Sequence, residues 1–136
     1  MHDVVINKLT TIEKCLKRIR EVYQEAGDKF VTDHTRQDSV ILNLQRACEA
    51  SIDVANYINN IKKLGIPQSS RDSFQLLFDN GLVSKTISDK LKSMVGLRNI
   101  AVHDYQTLNM DIVQFVINHH LGDFELFITE VKKIKL

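Results

Sequence analysis

Apolar residues recur at steps of three and four along most of the chain, and this spacing limits the possible folds more than any other feature. Over about residues 4–25, one face collects Val5, Leu9, Ile12, Leu16, Ile19 and Tyr23. This is the period of an amphipathic α-helix that turns one stripe toward a core. No stretch shows the alternation typical of a β-strand. The sequence therefore predicts an all-α protein.

Capping residues and turns divide the rest of the chain into further helices. Ser, Thr, Asp and Asn side chains accept hydrogen bonds from the free N–H groups that begin a helix. Residues of this kind precede the later apolar stretches: Thr32 or Asp33, Ser69, Ser84 or Thr86, and Asn109. Gly122 is a point where the last helix can kink or split. We predict a single domain over residues 1–136, an up-and-down bundle of four to five helices.

Charge and hydropathy restrict the classes of function. The net charge is +1, so the protein lacks the overall positive field that attracts nucleic acid without specificity. If RNA binds, the positive surface must be local, and the candidates for it are Arg36, Arg46, Arg71 and Arg98. There is no signal peptide, and no apolar run approaches the roughly 18 residues of a membrane span. We expect a cytoplasmic protein with no membrane contact.

The sequence gives no indication of a metal or cofactor. Cys15 and Cys48 lie on apolar faces of predicted helices, where a buried free thiol in a reducing compartment is expected. No Cys/His cluster has zinc-site spacing, and the adjacent His119 and His120 point to different sides of a helix. We expect no metal site and no cofactor.

The candidate functional residues lie in residues 98–105, at the end of the fourth predicted helix. That helix has an apolar stripe formed by Ile87, Leu91, Met94 and Val95. Arg98 falls within roughly 20° of the centre of the stripe. An unpaired guanidinium is costly there, so we expect Arg98 to face a site or an interface. Gly96 removes bulk beside it, which would let a ligand or a second chain approach.

His103 lies five residues beyond Arg98, roughly 140° further around the helix. In one unbroken helix the two side chains would diverge. They can act together if the helix ends between them, or if a second copy of the chain supplies the other half of the site.

Arginine and histidine suit RNA cleavage without a metal. This reaction needs a base for the 2′-hydroxyl, an acid for the leaving 5′-oxygen, and a fixed positive charge at the phosphorus. Histidine transfers protons near neutral pH, and arginine binds phosphoryl oxygens and stays charged. Two copies related by a two-fold axis would supply two of each across one cleft.

Each residue also has a structural interpretation. His103 could be a helix C-terminal histidine favoured by the helix dipole. Tyr105 could be a core ring with its hydroxyl hydrogen-bonded. Arg98 could form a structural ion pair with Glu49 or Asp53.

Arg98-Asn99 followed by His103-Asp104-Tyr105, in a short all-helical chain, resembles the HEPN superfamily. More closely, it resembles the HepT-type toxins that are paired with minimal nucleotidyltransferase antitoxins. The resemblance covers essentially the whole chain, including residues 44–50 of the long second helix. It implies a HEPN-like fold and a metal-independent RNA endonuclease, the toxin of a type II or type VII-like toxin–antitoxin pair. The implied active site lies at a homodimer interface, with Arg98 and His103 catalytic and Asn99 supporting.

The resemblance also implies a product, a partner and a means of silencing. The RNA product would carry a 2′,3′-cyclic phosphate. The cognate minimal nucleotidyltransferase would adenylylate Tyr105, placing negative charge and bulk beside Arg98 and His103. The alternative is a non-catalytic HEPN module that binds nucleotide or substrate for a partner nucleotidyltransferase. We expect the dimer surface around helix four and the outer face of helix two, where Leu42 and Tyr57 lie.

Overall fold

The computed structural model describes residues 2–136; Met1, the first residue of the predicted domain, lies outside them. The described residues form six α-helices: α1 (Asp3–Ala26), α2 (His34–Ile61), α3 (Ser70–Asp79), α4 (Lys85–His103), α5 (Met110–His119) and α6 (Leu121–Lys132). Two 3-10 helices, Gly27–Thr32 and Tyr105–Thr107, join α1 to α2 and α4 to α5. The described part of the chain contains no strand, so the all-α prediction is confirmed.

The helices begin at residues that the sequence predicted as caps. Four side-chain oxygens accept a backbone N–H near the start of a helix: Asp33 from Arg36, Ser69 from Asp72, Ser84 from Ile87 and Asn109 from Asp111. Each bond satisfies a donor that the helix itself leaves without a partner. The sequence left two choices open for α2 and for α4. The cap of α2 is Asp33 and not Thr32, and the cap of α4 is Ser84 and not Thr86.

The predicted last helix is divided into α5 and α6, which meet at His120 rather than at Gly122. The backbone of His120 has φ −126° and ψ −1°, outside the helical range. Its ring Nδ1 lies 2.8 Å from Oδ2 of Asp123, and Nζ of Lys90 lies 3.3 Å from the other oxygen of that buried carboxylate. A buried carboxylate needs such partners, and the break at His120 brings one of them into reach.

The core lies between the long α1–α2 pair and the shorter helices that cover it. The predicted apolar stripe of α1 is buried, with Tyr23 half-buried at its edge, and α2 buries Val40, Leu44 and Ile58 against it. Phe74 of α3 and Phe127 of α6 are fully buried and pack edge to face, with ring centroids 5.7 Å apart. This contact joins α6 to α3, the helix whose Ser70 accepts a hydrogen bond from Arg98.

Both cysteines are free and buried, as predicted. Burial raises the pKa of the Cys15 thiol, and it raises the pKa of Cys48 to about 12. Neither thiol is a reactive group at neutral pH. Within residues 2–136, no helix has both the length and the apolar character needed to cross a bilayer.

The Phe74–Phe127 contact can be tested by mutation. Phe127→Ala should lower the free energy of unfolding by about 3–5 kcal/mol, because it removes a fully buried ring and leaves a cavity. Ile66→Ala is the control, since that side chain is 85% exposed, and it should change stability by no more than about 0.5 kcal/mol. Urea unfolding followed by circular dichroism measures both, and equal effects would contradict the packing described.

Candidate active site

Helix α4 is continuous through both Arg98 and His103. The backbone N–H of Asp104 donates to the carbonyl oxygen of Ile100 at 2.8 Å, so the helical bonding extends to the last residue of the helix. At about 100° per residue, the two side chains leave the axis roughly 140° apart. This excludes one of the two arrangements considered from sequence, in which the helix ends between them.

Arg98 is half-buried and lines a small apolar cavity between α2 and α4, beside Leu44, Cys48 and Met94. Its Nη2 donates to the hydroxyl of Ser70 at the start of α3, at 3.3 Å. Its Nε is buried with no hydrogen-bond partner. An unsatisfied buried N–H on a cation is costly. The hydrogen-bonded nitrogen of the guanidinium, Nη2, has only the Ser70 hydroxyl as its partner among the described residues.

The ion pair considered for Arg98 is not formed. Asp53 instead pairs with Lys8, with Nζ and Oδ2 3.0 Å apart. Glu49 accepts a hydrogen bond from the Gln45 amide at 3.1 Å. Within the described residues, Arg98 therefore has no carboxylate partner.

Gly96 is approached by another residue of the same chain, Arg71. A Cβ on Gly96 would lie 3.0 Å from Nη2 of Arg71, and Nε of Arg71 donates to the Lys92 carbonyl at 3.3 Å. Gly96 and His103 are seven residues apart and share one face of α4. Arg71 therefore adds positive charge to the face of α4 that ends at His103.

Of the four arginines considered from sequence, Arg71 of α3 contacts α4, and Arg98 of α4 contacts α3. Arg36 is neutralised by Asp33 at 2.9 Å and by Glu25 at 3.6 Å. Arg46, Arg71 and Arg98 form no salt bridge with any described carboxylate, and Arg46 is exposed on α2. With a net charge of +1, any positive surface for RNA is expected to be local, and these three arginines are its candidates.

His103 is the last residue of α4 and is exposed, whereas Asn99 is half-buried one turn earlier. An exposed ring is accessible for proton exchange with a bound substrate. His103 also lies where the helix dipole favours a histidine. Its position is therefore compatible with a catalytic role and with a purely structural role.

Tyr105 begins the 3-10 helix after α4 and is 41% exposed, so it is not a core ring. Its hydroxyl donates to Oδ1 of Asp38, an exposed residue of α2 that sequence reasoning did not identify. Partial burial and the Asp38 carboxylate raise the pKa of Tyr105 to about 12. The phenol is therefore protonated at neutral pH and held at the surface by one carboxylate.

The described residues include no group of three or more His, Cys, Asp or Glu side chains placed to hold a metal ion. His119 and His120 both stack on Phe115, with ring centroids 4.6 and 5.4 Å away. The sequence predicted that they point to different sides of one helix, but α5 ends at His119 and both rings contact Phe115.

The helical bundle and the Arg98–Tyr105 stretch define the class of protein. The model of the family described as Ribonuclease HepT-like matches residues 12–131, and the chain belongs to this family. The resemblance identified from sequence, and the HEPN-like fold that it implied, are thus confirmed.

Individual relatives match over nearly the whole chain. The mRNA nuclease HepT of Shewanella oneidensis is 63% identical over 132 residues, which is 97% of this chain and 98% of the relative. The structure of the tri-AMPylated Shewanella oneidensis HEPN toxin in complex with MNT antitoxin matches with a TM-score of 0.94 and 61% identity, over 98% of this chain and 100% of that one. A toxin–antitoxin structure with AMP-PNP matches with a TM-score of 0.92 and 61% identity, over 96% of this chain and 99% of that one.

The Tyr105–Asp38 bond predicts a titration that differs from that of an ordinary tyrosine. The folded pKa lies above the ordinary value of 10.0, so the bond stabilises the fold below that pH and is lost as pH rises toward about 12. Asp38→Asn removes the charge that disfavours the phenolate, and the pKa of Tyr105 should fall toward 10. Carbon-13 NMR of the tyrosine Cζ, with Tyr105→Phe to assign the signal, measures this. An unchanged pKa in Asp38→Asn would contradict the hydrogen bond.

Proposed function

We propose that this chain is the toxin of a toxin–antitoxin pair and that it is an RNA endonuclease acting on mRNA. The observation that carries the proposal is the 63% identity to an mRNA nuclease, HepT, across almost the full length of both proteins. Arg98, His103 and Tyr105 lie together in one stretch, as the proposal requires. An mRNA substrate would place the protein in the cytoplasm, as we expected from sequence.

In the proposed reaction, His103 moves protons and Arg98 holds the phosphoryl group. A base removes the 2′-hydroxyl proton, the 2′-oxygen attacks phosphorus, and an acid protonates the leaving 5′-oxygen. The products are a 2′,3′-cyclic phosphate and a 5′-hydroxyl. The guanidinium meets the charge that develops on the phosphoryl oxygens, and the lack of a carboxylate partner for Arg98 supports this role. Asn99 would orient groups beside them.

We propose that the active site forms between two copies of the chain. The continuous α4 supports this, because it directs Arg98 and His103 roughly 140° apart within one copy. Exposed apolar side chains lie on α4, α5 and the outer face of α2: Ile100, Val102, Ile112, Phe115 and Leu42. Apolar residues of this kind are typical of a surface that a partner covers, and a two-fold axis near α4 would bring the two copies of His103 and Arg98 to one cleft.

We propose that a minimal nucleotidyltransferase antitoxin silences the toxin by adenylylating Tyr105. The related Shewanella oneidensis toxin is tri-AMPylated in its complex with MNT antitoxin. Tyr105 is 41% exposed, so the hydroxyl can be reached. Nucleotide phosphates two residues from His103 would compete with RNA by charge and by volume.

The catalytic roles predict specific losses of activity. Unmodified protein in excess EDTA should cleave RNA and leave cyclic-phosphate ends, whereas His103→Ala should lose about 10²- to 10⁴-fold in rate because proton transfer is lost. Arg98→Ala should lose activity comparably, since the phosphoryl charge is then unmatched. His34→Ala is a matched control with an exposed histidine at the start of α2. Cleavage is followed on defined RNA by gel and end-group analysis.

Two outcomes would contradict this proposal. If EDTA abolishes cleavage by the unmodified protein, the metal-independent mechanism is wrong. If no RNA is cleaved while intact mass shows Tyr105 unmodified, the ribonuclease activity is wrong. The non-catalytic module that binds a nucleotide for its partner would then be the better account.

A further inference from the structure

We propose that Asp38 is the general base for the modification of Tyr105, accepting the phenol proton as the tyrosine oxygen attacks a nucleoside triphosphate. The inference rests on the proposed function, in which an antitoxin nucleotidyltransferase modifies Tyr105. It adds a role for a residue of the toxin itself in its own silencing.

The geometry places a proton acceptor on the reacting atom before any partner binds. Asp38 and Tyr105 are 67 residues apart, on α2 and on the 3-10 helix after α4, and their side chains meet in a direct hydrogen bond. Within the described part of the chain, Asp38 takes part in no salt bridge, unlike Asp33 and Asp53. No described cation therefore competes with the phenol for this carboxylate.

The hydrogen bond between Tyr105 and Asp38 lies at the surface, where a partner can reach it. Asp38 is exposed and Tyr105 is 41% exposed, so the bond contributes little to the stability of the fold. The hydrogen bond occupies the O–H of the phenol and leaves the oxygen lone pairs available. A triphosphate carried by a partner can then approach the oxygen from solvent while its proton is directed toward Asp38.

The acidity of the phenol makes an acceptor necessary. Partial burial and the neighbouring carboxylate raise the pKa of Tyr105 to about 12, so almost no phenolate is present at neutral pH. The proton must leave during the attack, and a base within hydrogen-bond distance lowers that barrier.

The proposed step balances without any further reactant. Oη of Tyr105 forms a bond to the α-phosphorus of ATP held by the antitoxin. The bond from that phosphorus to the bridging oxygen breaks, and pyrophosphate leaves with the electron pair. The phenol proton passes to the Asp38 carboxylate and then to water.

Variants of Asp38 separate a base from a residue that only positions the ring. Asn keeps an oxygen that accepts the hydrogen bond but cannot take up a proton, whereas Glu keeps the carboxylate. The matched control is Asp53→Asn, a carboxylate on the same helix with a half-exposed side chain paired to Lys8. Circular dichroism melting confirms that each variant is folded, as the exposure of both positions predicts.

The experiment measures the rate at which unmodified toxin gains AMP, with ATP and Mg²⁺ and the MNT antitoxin of the Shewanella oneidensis complex as the probe. Intact mass follows the product. Asp38→Asn should lower the maximal rate about 10²-fold or more while the toxin concentration at half-maximal rate stays the same. Asp38→Glu should recover part of the rate, and Asp53→Asn should match the unmutated toxin.

Other outcomes distinguish the inference from the function on which it rests. If Asp38→Asn is modified as fast as the unmutated toxin, Asp38 is not the base, while the proposed silencing stands. A slow Asp38→Asn whose rate recovers at high toxin concentration would show a role in docking and would also overturn the inference. If the unmutated toxin gains no AMP, the proposed silencing and the role of Asp38 both fail.

Discussion

Helix α4 runs without a break from Lys85 to His103, and its turn of about 100° per residue directs Arg98 inward while His103 ends at the surface. Arg98 contacts Ser70 of α3 and lines a cavity shared with α2. Its position thus depends on the packing of three helices, and the buried Phe74–Phe127 contact fixes one of them. In one copy of the chain, the two candidate catalytic residues therefore lie on different sides of α4. This constraint makes a second copy necessary for the mechanism that we propose.

Charge is distributed locally rather than over the whole surface. With a net charge of +1, attraction of RNA depends on arginines that no carboxylate neutralises. Arg46, Arg71 and Arg98 meet this condition. Arg71 and Arg98 lie where α3 packs on α4, and the missing side chain of Gly96 gives Arg71 room there. Asp38 supplies the opposite charge beside Tyr105. The positive groups suit RNA, while the carboxylate suits the removal of a proton from Tyr105, the residue that we propose the antitoxin modifies.

Local features of the fold could be predicted from sequence, and contacts between distant residues could not. The apolar stripes and the caps at Asp33, Ser69, Ser84 and Asn109 act within a few residues, so periodicity and side-chain chemistry were enough. The inward position of Arg98 followed from its place in the apolar stripe. The hydrogen bond between Asp38 and Tyr105 joins residues 67 positions apart, so no pattern of neighbouring residues could predict it. The absence of a side chain at Gly96 predicted that another group comes close to α4 there. The three-dimensional packing shows that this group is the Arg71 side chain of the same chain.

The most direct test of the central claim is to combine two inactive copies in one dimer. Arg98→Ala and His103→Ala chains carrying different affinity tags are co-expressed, the mixed dimer is purified through both tags, and RNA cleavage is measured with Tyr105 unmodified. Our account predicts that the mixed dimer regains part of the activity that each variant lacks alone, because one intact Arg98 and one intact His103 then meet across the interface. A mixed dimer as inactive as either variant, or full activity from a monomer of the unmutated protein, would contradict a site built from two chains.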